Sequence, residues 1–332
     1  MEKSSGRTVL FVDDYPASPS RGAGLPRAFD HISYIKKQGK DVLCMHSSRS
    51  QVEPNLNFNF VIASRPNNFL LGLKLASQNN VPLIYDAESL FFLKQKSKIQ
   101  YKKYLEIEKI IAKKADGVIA ISPFEAEWFR ENGAKNVWLI DPFPEHCEVI
   151  SDRESRRPEA IMIAGWLSGP GSPNDEGLRW FSQESLPRIL QRCRDFKLKV
   201  TGADPPRNLV RSVPEEVEFV GEISDLQKYL SNFLFSINPV LHASGVNLKV
   251  VDSLSSGVPV VSTATGALLP DKKWRSGMLS TNNPDYFAEC CISLIKNSYY
   301  YNNIFNNLKQ ICLKHNLDKS AVWNEIFSFY ED

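Results

Sequence analysis

The feature that most constrains this chain is a regular alternation between apolar runs of strand length and amphipathic segments of helix length. In the first half, the apolar runs occupy residues 9–12, 41–45, 60–63, 82–85, 117–121 and 137–140, with predicted helices over 28–37, 69–78 and 98–114. This order is typical of a parallel sheet with helices on both faces. The sequence therefore predicts a complete Rossmann-like domain over residues 1–146.

The same alternation begins again after a polar stretch. Residues 145–158 (EHCEVISDRESRRP) have no helical or strand periodicity, which is typical of an exposed connection between domains. Apolar runs then return at 160–165, 198–202, 217–220, 234–239 and 258–262, with helices over 175–192 and 248–255 and a short helix from Asp225. We predict a second Rossmann-like domain over 147–315 and a C-terminal helix within 316–332 that packs back on the first domain. The expected fold class is α/β, with two doubly wound domains facing across a cleft.

Composition excludes several classes of function. Forty basic and 38 acidic residues leave a net charge of +2, and no long basic run could follow a phosphodiester backbone, so nucleic acid is not an expected partner. The six cysteines lack the CxxC spacing of zinc or redox sites. No stretch reaches the roughly 18 apolar residues that cross a bilayer. We therefore expect a cytoplasmic protein.

One stretch, residues 91–103, combines five lysines with Phe91, Phe92 and Tyr101. Two interpretations remain open. The stretch is a solvated helix face, or it rests on an acidic substrate or on anionic lipid at the inner face of the membrane.

Because ligands bind at the carboxyl ends of parallel strands, the loops after strands are the first site candidates. The loop after the first strand contains Arg21, Gly22 and Gly24 and leads into a helix, so its backbone N–H groups suit a phosphate or sugar oxygen. A tight turn without a ligand explains these glycines equally well.

The most informative stretch is 238–263 (NPVLHASGVNLKVVDSLSSGVPVVST), in which a small-residue turn precedes a helix that carries Lys249 and Asp252. Backbone N–H groups at residues 244–246 favour a pyrophosphate, Lys249 adds a positive charge, and Asp252 can accept hydrogen bonds from ribose hydroxyls. On spacing alone, an i,i+3 ion pair on a helix surface is the competing explanation.

These residues resemble the donor-site signature of the retaining GT-B glycosyltransferases of family 4, in which a glycine-rich turn precedes K-x-x-E-x-x-x-x-G-x-P-V-V. Residues 161–190 and the block 221–226 (GEISDL) resemble further parts of the family's donor domain, and residues 64–66 and 85–90 resemble its acceptor-domain loops. The resemblance covers nearly the whole chain and implies the GT-B fold.

The resemblance also implies roles for individual donor-site residues. It places Lys249 on the donor diphosphate, Asp252 on the ribose, and the backbone of Gly245 and Val246 beside the phosphates. The remaining members of the expected donor site are Arg21, Gly24, Glu222, His242, Ser244 and Asn247. His242 touches the donor sugar or has a structural role, and Arg21 or Arg65 adds to phosphate neutralisation.

In the acceptor domain, Asp86 and Glu88 follow the strand that ends at Tyr85, and we expect them in the cleft as catalytic groups together with Lys249. A structural role, capping the next helix, is the competing prediction. The chain departs from the family at several places. Relatives usually carry Glu at the position of Asp252 and often another at the position of Ser244, many have a basic residue within the loop 166–168, and some have a second lysine at the position of Asn247. No cofactor or metal is expected.

The predicted function is transfer of a sugar from a nucleotide-diphospho-sugar donor to a hydroxyl of a glycan, lipid-linked or small-molecule acceptor, with retention, within polysaccharide biosynthesis. One alternative is a non-catalytic GT-B homologue that binds a sugar nucleotide or a partner enzyme. Another is a sugar-nucleotide epimerase, which would need Asp86, Glu88 and His242 gathered in the cleft.

Overall fold

The computed structural model describes residues 8–14, 25–46, 58–95, 97–147, 155–167, 171–203, 205–243 and 245–331. These residues form two six-stranded sheets, and every strand pairing in both is parallel. The predicted α/β class with two doubly wound sheets is therefore confirmed.

The N-terminal sheet has the strand order β2-β1-β3-β4-β5-β6. Its strands are β1 Thr8–Asp13, β2 Asp41–His46, β3 Phe60–Ser64, β4 Leu83–Ala87, β5 Gly117–Ala120 and β6 Val137–Leu139. Its helices are α1 Leu25–Lys37, α2 Pro66–Asn79, α3 Lys98–Lys114 and α4 Pro123–Glu131. Every residue of β3, β4 and β5 is buried, as expected for central parallel strands covered by helices on both faces.

The C-terminal sheet has the order β12-β11-β10-β7-β8-β9. Its strands are β7 Arg157–Trp166, β8 Leu198–Ala203, β9 Val217–Gly221, β10 Phe233–Asn238, β11 Val260–Ser262 and β12 Met278–Ser280. Its helices are α5 Pro173–Trp180, α6 Leu186–Arg192, α7 Arg207–Val210, α8 Leu226–Leu230, α9 Leu248–Ser255, α10 Pro284–Lys296 and α11 Ser298–Lys314. A final helix, α12 Lys319–Glu331, follows them.

The structure corrects two details of the predicted C-terminal elements. The helix expected over 175–192 is divided into α5 and α6 by a π-helical turn at Phe181–Ser185. Pro187 follows this turn and has no N–H to donate to the carbonyl of residue 183, so the regular hydrogen-bond ladder is interrupted there. The short edge strand β12 was not predicted, because its three residues are only partly buried and carry little periodic signal.

Two segments join the domains. Phe143, just after the N-terminal sheet, stacks on Trp274 of the C-terminal domain with ring centroids 3.9 Å apart. Helix α12 packs against α1 and β6 of the N-terminal domain, and Trp323 lies in that domain's core. Trp138 Nε1 donates to Glu325 Oε1 at 3.0 Å. The chain therefore crosses between the domains near Phe143 and returns through α12.

Among the described residues, no helix combines the length and the apolar character needed to cross a bilayer.

Candidate active site

The switch point of the C-terminal sheet lies between β7 and β10, where the order of the strands along the chain reverses. Open parallel sheets bind ligands outside the carboxyl ends of strands at such a point. Helix α5 follows β7 and helix α9 follows β10, so their first turns meet there. Lys249 Nζ donates to Asn174 Oδ1, and Asn174 Nδ2 donates to the carbonyl oxygen of Ala164. Asn174 thus holds the Lys249 ammonium at the crevice.

The turn before α9 requires glycine at one position. Gly245 has a φ of +78°, in the left-handed region, and a Cβ at this residue would lie 2.8 Å from Glu125 Oε1 and 3.4 Å from Ser89 Cβ. Both of these neighbours belong to the N-terminal domain. A side chain at residue 245 would therefore strain the backbone and displace the Glu125 carboxylate. Together with Val246 and Asn247, Gly245 lines the space between the domains.

Lys249 and Asp252 lie half-buried on the same face of α9. Burial lowers the pKa of Lys249 to about 8, and the charge of Asp252 opposes this shift. Burial and the charge of Asp30 raise the pKa of Asp252 to about 7, against the effect of Lys249. Within the described part of the chain, no salt bridge joins the Lys249 and Asp252 side chains. The surface ion pair suggested by the spacing is therefore absent, and both groups face an interdomain space.

Two spaces between the domains adjoin at Lys249. The first, which we call the inner cavity, has a volume of about 120 Å³. It is lined on the C-terminal side by Glu222, Ile223, Leu248, Lys249 and Asp252 and on the N-terminal side by Arg27, Asp30, His31, Tyr34 and Lys319, among others.

The second space, the outer cleft, has a volume of about 800 Å³. Its N-terminal wall includes Glu88, Ser89, Leu93, Lys94 and Gln95, and its C-terminal wall includes Asn174, His242, Gly245, Val246, Asn247, Leu248 and Lys249. Leu248 and Lys249 line both spaces. The first turn of α9 therefore divides the inner cavity from the outer cleft, with the Lys249 ammonium at the division.

The structure corrects the expectation that Asp86 projects into the cleft. Asp86 is fully buried and lines neither space. Its Oδ1 lies 2.9 Å from Arg27 Nη2 and 3.3 Å from His31 Nε2, and its Oδ2 accepts from Ser64 Oγ at 3.1 Å. Arg27 and His31 hold the pKa of Asp86 well below its usual range against the effect of burial. Both carboxylate oxygens are thus occupied, and the three groups expected in an epimerase do not share one cavity.

Glu88, in contrast, lies at the wall of the outer cleft, where its two oxygens accept from Arg65 Nε at 3.1 Å and Arg65 Nη2 at 3.2 Å. Arg65 Nη1 also donates to Asp13 Oδ1 at 2.9 Å. Arg65 has a φ of +69°, which is unusual for a residue with a side chain and is held by these contacts. Arg65 therefore forms ion pairs with Asp13 and Glu88 within the N-terminal domain, whereas the sequence suggested that it neutralises a phosphate.

The remaining predicted residues divide between the two spaces and the part of the chain that is not described. His242 lies at the outer cleft with its side chain 62% exposed and its Nε2 3.8 Å from Glu176 Oε2. Glu222 is exposed at the mouth of the inner cavity. Arg21, Gly24 and Ser244 lie outside the described residues.

Sequence reasoning missed Asn174, Asp30 and Lys319. Asn174 could have been found, because it stands in the first turn of the helix after β7, the position that faces a switch point. Asp30 lies within α1 and Lys319 at the start of α12, and nothing in the local sequence indicates that these helices meet α9. Their place at the site depends on how the two domains are joined.

Solved structures share this architecture along nearly the whole chain. Sucrose-phosphate synthase from Thermosynechococcus elongatus superimposes with a TM-score of 0.70 at 15% identity and covers 98% of each chain. The Anabaena protein HepE, solved in complex with UDP and glucose, superimposes with a TM-score of 0.67 at 13% identity over 98% of this chain and 99% of its own. The fold is GT-B.

The C-terminal half also matches a family by sequence. Residues 161–297 match the family model described as glycosyl transferases group 1. An uncharacterized 44.6 kDa protein in the cps region of Klebsiella pneumoniae is 24% identical over 208 residues, which span 58% of this chain and 52% of that protein. The match thus spans about half the length of that relative. The part of this GT-B chain that carries Lys249 and Asp252 is the part that resembles glycosyltransferases in sequence.

Proposed function

We propose that this protein is a glycosyltransferase that moves a sugar from a nucleotide-diphospho-sugar donor to a hydroxyl acceptor. The observation that carries the proposal is the position of Lys249 between two adjoining interdomain spaces. One space is flanked by Asp252 and the other by Glu88 and the Gly245 turn. A donor has a nucleoside on one side of its diphosphate and a sugar on the other, which matches this division.

The proposed donor contacts follow from charge and backbone geometry. Lys249 and the first-turn N–H groups of α9 take the diphosphate, and Asp252 accepts from the ribose. The leaving nucleoside diphosphate gains negative charge as the glycosidic bond breaks, so an ammonium held in place beforehand lowers the barrier. Because burial depresses the pKa of Lys249 to about 8, an anion beside it also favours its protonated form.

We further propose that transfer proceeds with retention and without a protein nucleophile. Glu88 is the carboxylate among the described residues that line the outer cleft, and its two oxygens already accept from Arg65. The donor phosphate is then the group that takes the proton of the acceptor hydroxyl. Proton NMR of the product tests this proposal, since an anomeric configuration opposite to that of the donor sugar would refute it.

We propose that the reaction needs no metal. Among the described residues, no group of three or more His, Cys, Asp or Glu side chains is placed to hold a metal ion. Turnover should therefore be unchanged by EDTA, and a loss that Mg²⁺ or Mn²⁺ restores would contradict this.

For the acceptor, we propose a glycan or a lipid-linked glycan presented at a membrane surface. The N-terminal domain carries an exposed lysine–aromatic surface beside the outer cleft, formed by Leu93, Lys98, Ile99, Tyr101 and Lys102. Ile99 is 79% exposed, and Leu93 also lines the cleft. Exposed apolar side chains among lysines favour anionic lipid. The location of the Klebsiella relative in a cps region is consistent with an acceptor in polysaccharide synthesis.

The test is a donor panel of UDP-, GDP-, ADP- and dTDP-sugars measured by thermal shift and by nucleotide release. Lys249→Ala is compared with Lys296→Ala, an exposed lysine at the end of α10. Stabilisation by one donor with slow release, lost in Lys249→Ala and kept in Lys296→Ala, supports the proposal. Stabilisation without release, even with glycan acceptors, would instead support a non-catalytic sugar-nucleotide binder. No response to any donor would refute the donor site.

A further inference from the structure

The inner cavity brings together one carboxylate from each domain. Asp252 stands on α9, Asp30 stands on α1, and both are half-buried and line the cavity. Among the described residues, neither side chain takes part in a hydrogen bond or a salt bridge. Both carboxylates are therefore hydrogen-bond acceptors without protein donors in the described part of the chain, and both face the inner cavity.

The charges around this pair define what can bind there. Lys249 lines the cavity from the C-terminal domain, and Lys319, which is 4% exposed at the start of α12, lines it from the opposite side. The other charged residues of the wall are Arg27, which is paired with Asp86, and the carboxylates Asp141 and Glu222. Burial lowers the pKa of Lys319, while the charge of Asp30 opposes this shift. The carboxylates repel an anion and the lysines repel a metal ion. The cavity therefore favours a neutral group that donates hydrogen bonds in two directions.

A ribose ring is such a group, because its 2′- and 3′-hydroxyls are adjacent donors on a neutral ring. It also lies next to the diphosphate in a nucleotide, as Asp252 lies next to Lys249 on α9. We infer that Asp30 and Asp252 hold the two ribose hydroxyls of the donor, one carboxylate from each domain, and thereby select ribonucleotides. This inference rests on the proposed function and assigns a substrate-recognition role to α1.

The size of the cavity adds a condition to this recognition. At about 120 Å³ the inner cavity is smaller than the roughly 300–1,000 Å³ of typical small-molecule sites. We therefore expect the domains to separate when a nucleoside enters and to approach again afterwards. Asp30 would contact the ribose only once the N-terminal domain has approached the bound donor. Asp252 lies on the C-terminal domain, as Lys249 and the Gly245 turn do.

The experiment compares UDP, 2′-deoxy-UDP and 3′-deoxy-UDP by isothermal titration calorimetry on the full chain, or the corresponding GDP or ADP series if the donor panel selects that base. The variants are Asp30→Ala, Asp252→Ala and the control Asp41→Ala, an exposed aspartate at the start of β2. Residue 30 lies within α1, and alanine has a high helix propensity, so Asp30→Ala should keep the helix. Circular dichroism checks that each variant is folded.

For the wild type and Asp41→Ala, we expect each deoxynucleotide to bind about 10- to 100-fold more weakly than the ribonucleotide, as for a lost hydrogen bond to a charged acceptor. Asp30→Ala should abolish the penalty for one deoxynucleotide and keep it for the other. Asp252→Ala should show the reverse pattern.

The inference is overturned if Asp30→Ala still binds both deoxynucleotides more weakly than the ribonucleotide, or if the wild type binds all three equally well. The proposed function would stand in either case. If the wild type binds no nucleotide in any series, the proposed function itself fails and the inference fails with it.

Discussion

Replacing Asp86 tests whether its carboxylate stabilises the fold or takes part in catalysis. The Asp86 and Arg27 side chains are 0% and 4% exposed, and Asp86→Ala leaves the Arg27 guanidinium with the carbonyl of Ile140, at 3.1 Å, as its remaining described partner. Removing one member of a buried ion pair costs about 3–5 kcal/mol, because the other charge stays buried without compensation. That is a large share of the roughly 5–15 kcal/mol that stabilises a typical domain.

Urea unfolding followed by circular dichroism at pH 7 measures this cost. Asp86→Ala should lower the free energy of unfolding of the N-terminal domain by about 3–5 kcal/mol. The exposed control Asp41→Ala should change it by less than about 0.5 kcal/mol. In material that remains folded at low temperature, sugar transfer should stay within a few-fold of the wild type, because Asp86 lines neither space.

The pH dependence of unfolding gives a second readout. Arg27 and His31 hold the pKa of Asp86 below its usual range. The ionised carboxylate is therefore more stable in the folded protein than in the unfolded chain. This contribution is complete above the unfolded pKa of about 3.9 and is lost as the pH falls below it. Wild-type stability should fall in this range more steeply than that of Asp86→Ala. A variant with wild-type stability and 100-fold weaker transfer would refute the scaffold role.

Three further outcomes are expected. Gly245→Ala should weaken donor binding about tenfold or more, from backbone strain and contact with Glu125, measured by calorimetry. Donor affinity should decline above about pH 8, as Lys249 loses its proton, and Lys249→Arg should show no decline up to pH 10. The double variant Lys98→Glu/Lys102→Glu should bind anionic vesicles at least about 30-fold more weakly in sedimentation assays, since each lysine contributes about 1 kcal/mol, while neither protein binds neutral vesicles. Equal anionic-vesicle binding by both proteins would contradict the membrane role of this surface.

Sequence periodicity predicted most elements because their signals are local. The helices at Lys98–Lys114 and Leu248–Ser255 begin and end where the pattern places them. Their apolar spacing and flanking turn residues determine these bounds. The π turn at Phe181–Ser185 has no such signal, since Trp180, Phe181 and Leu186 continue the helical apolar spacing across it. Periodicity shows which face is buried, not how the hydrogen bonds along it are arranged.

The limits of local sequence patterns also explain the outcome for the two N-terminal-domain carboxylates, Asp86 and Glu88. Asp86 lies within β4 and Glu88 directly follows it, and the sequence predicted both in the cleft. In the structure, Asp86 is held inside the domain by Arg27 and His31 from α1, whereas Glu88 reaches the cleft wall. Which of them is buried depends on partners more than 50 residues away along the chain, as the 59-residue separation of Arg27 from Asp86 shows.

The C-terminal side of the candidate site was predictable because a single helix presents it. Lys249 and Asp252 lie on α9 three residues apart, so their common face follows from helical geometry. Asp30 and Lys319 meet that face only because Phe143 stacks on Trp274 and α12 packs against α1. These contacts set the relative position of the two sheets, and no short sequence pattern encodes it. The residues that complete the cavity from the opposite domain are therefore the ones that required a structure to find.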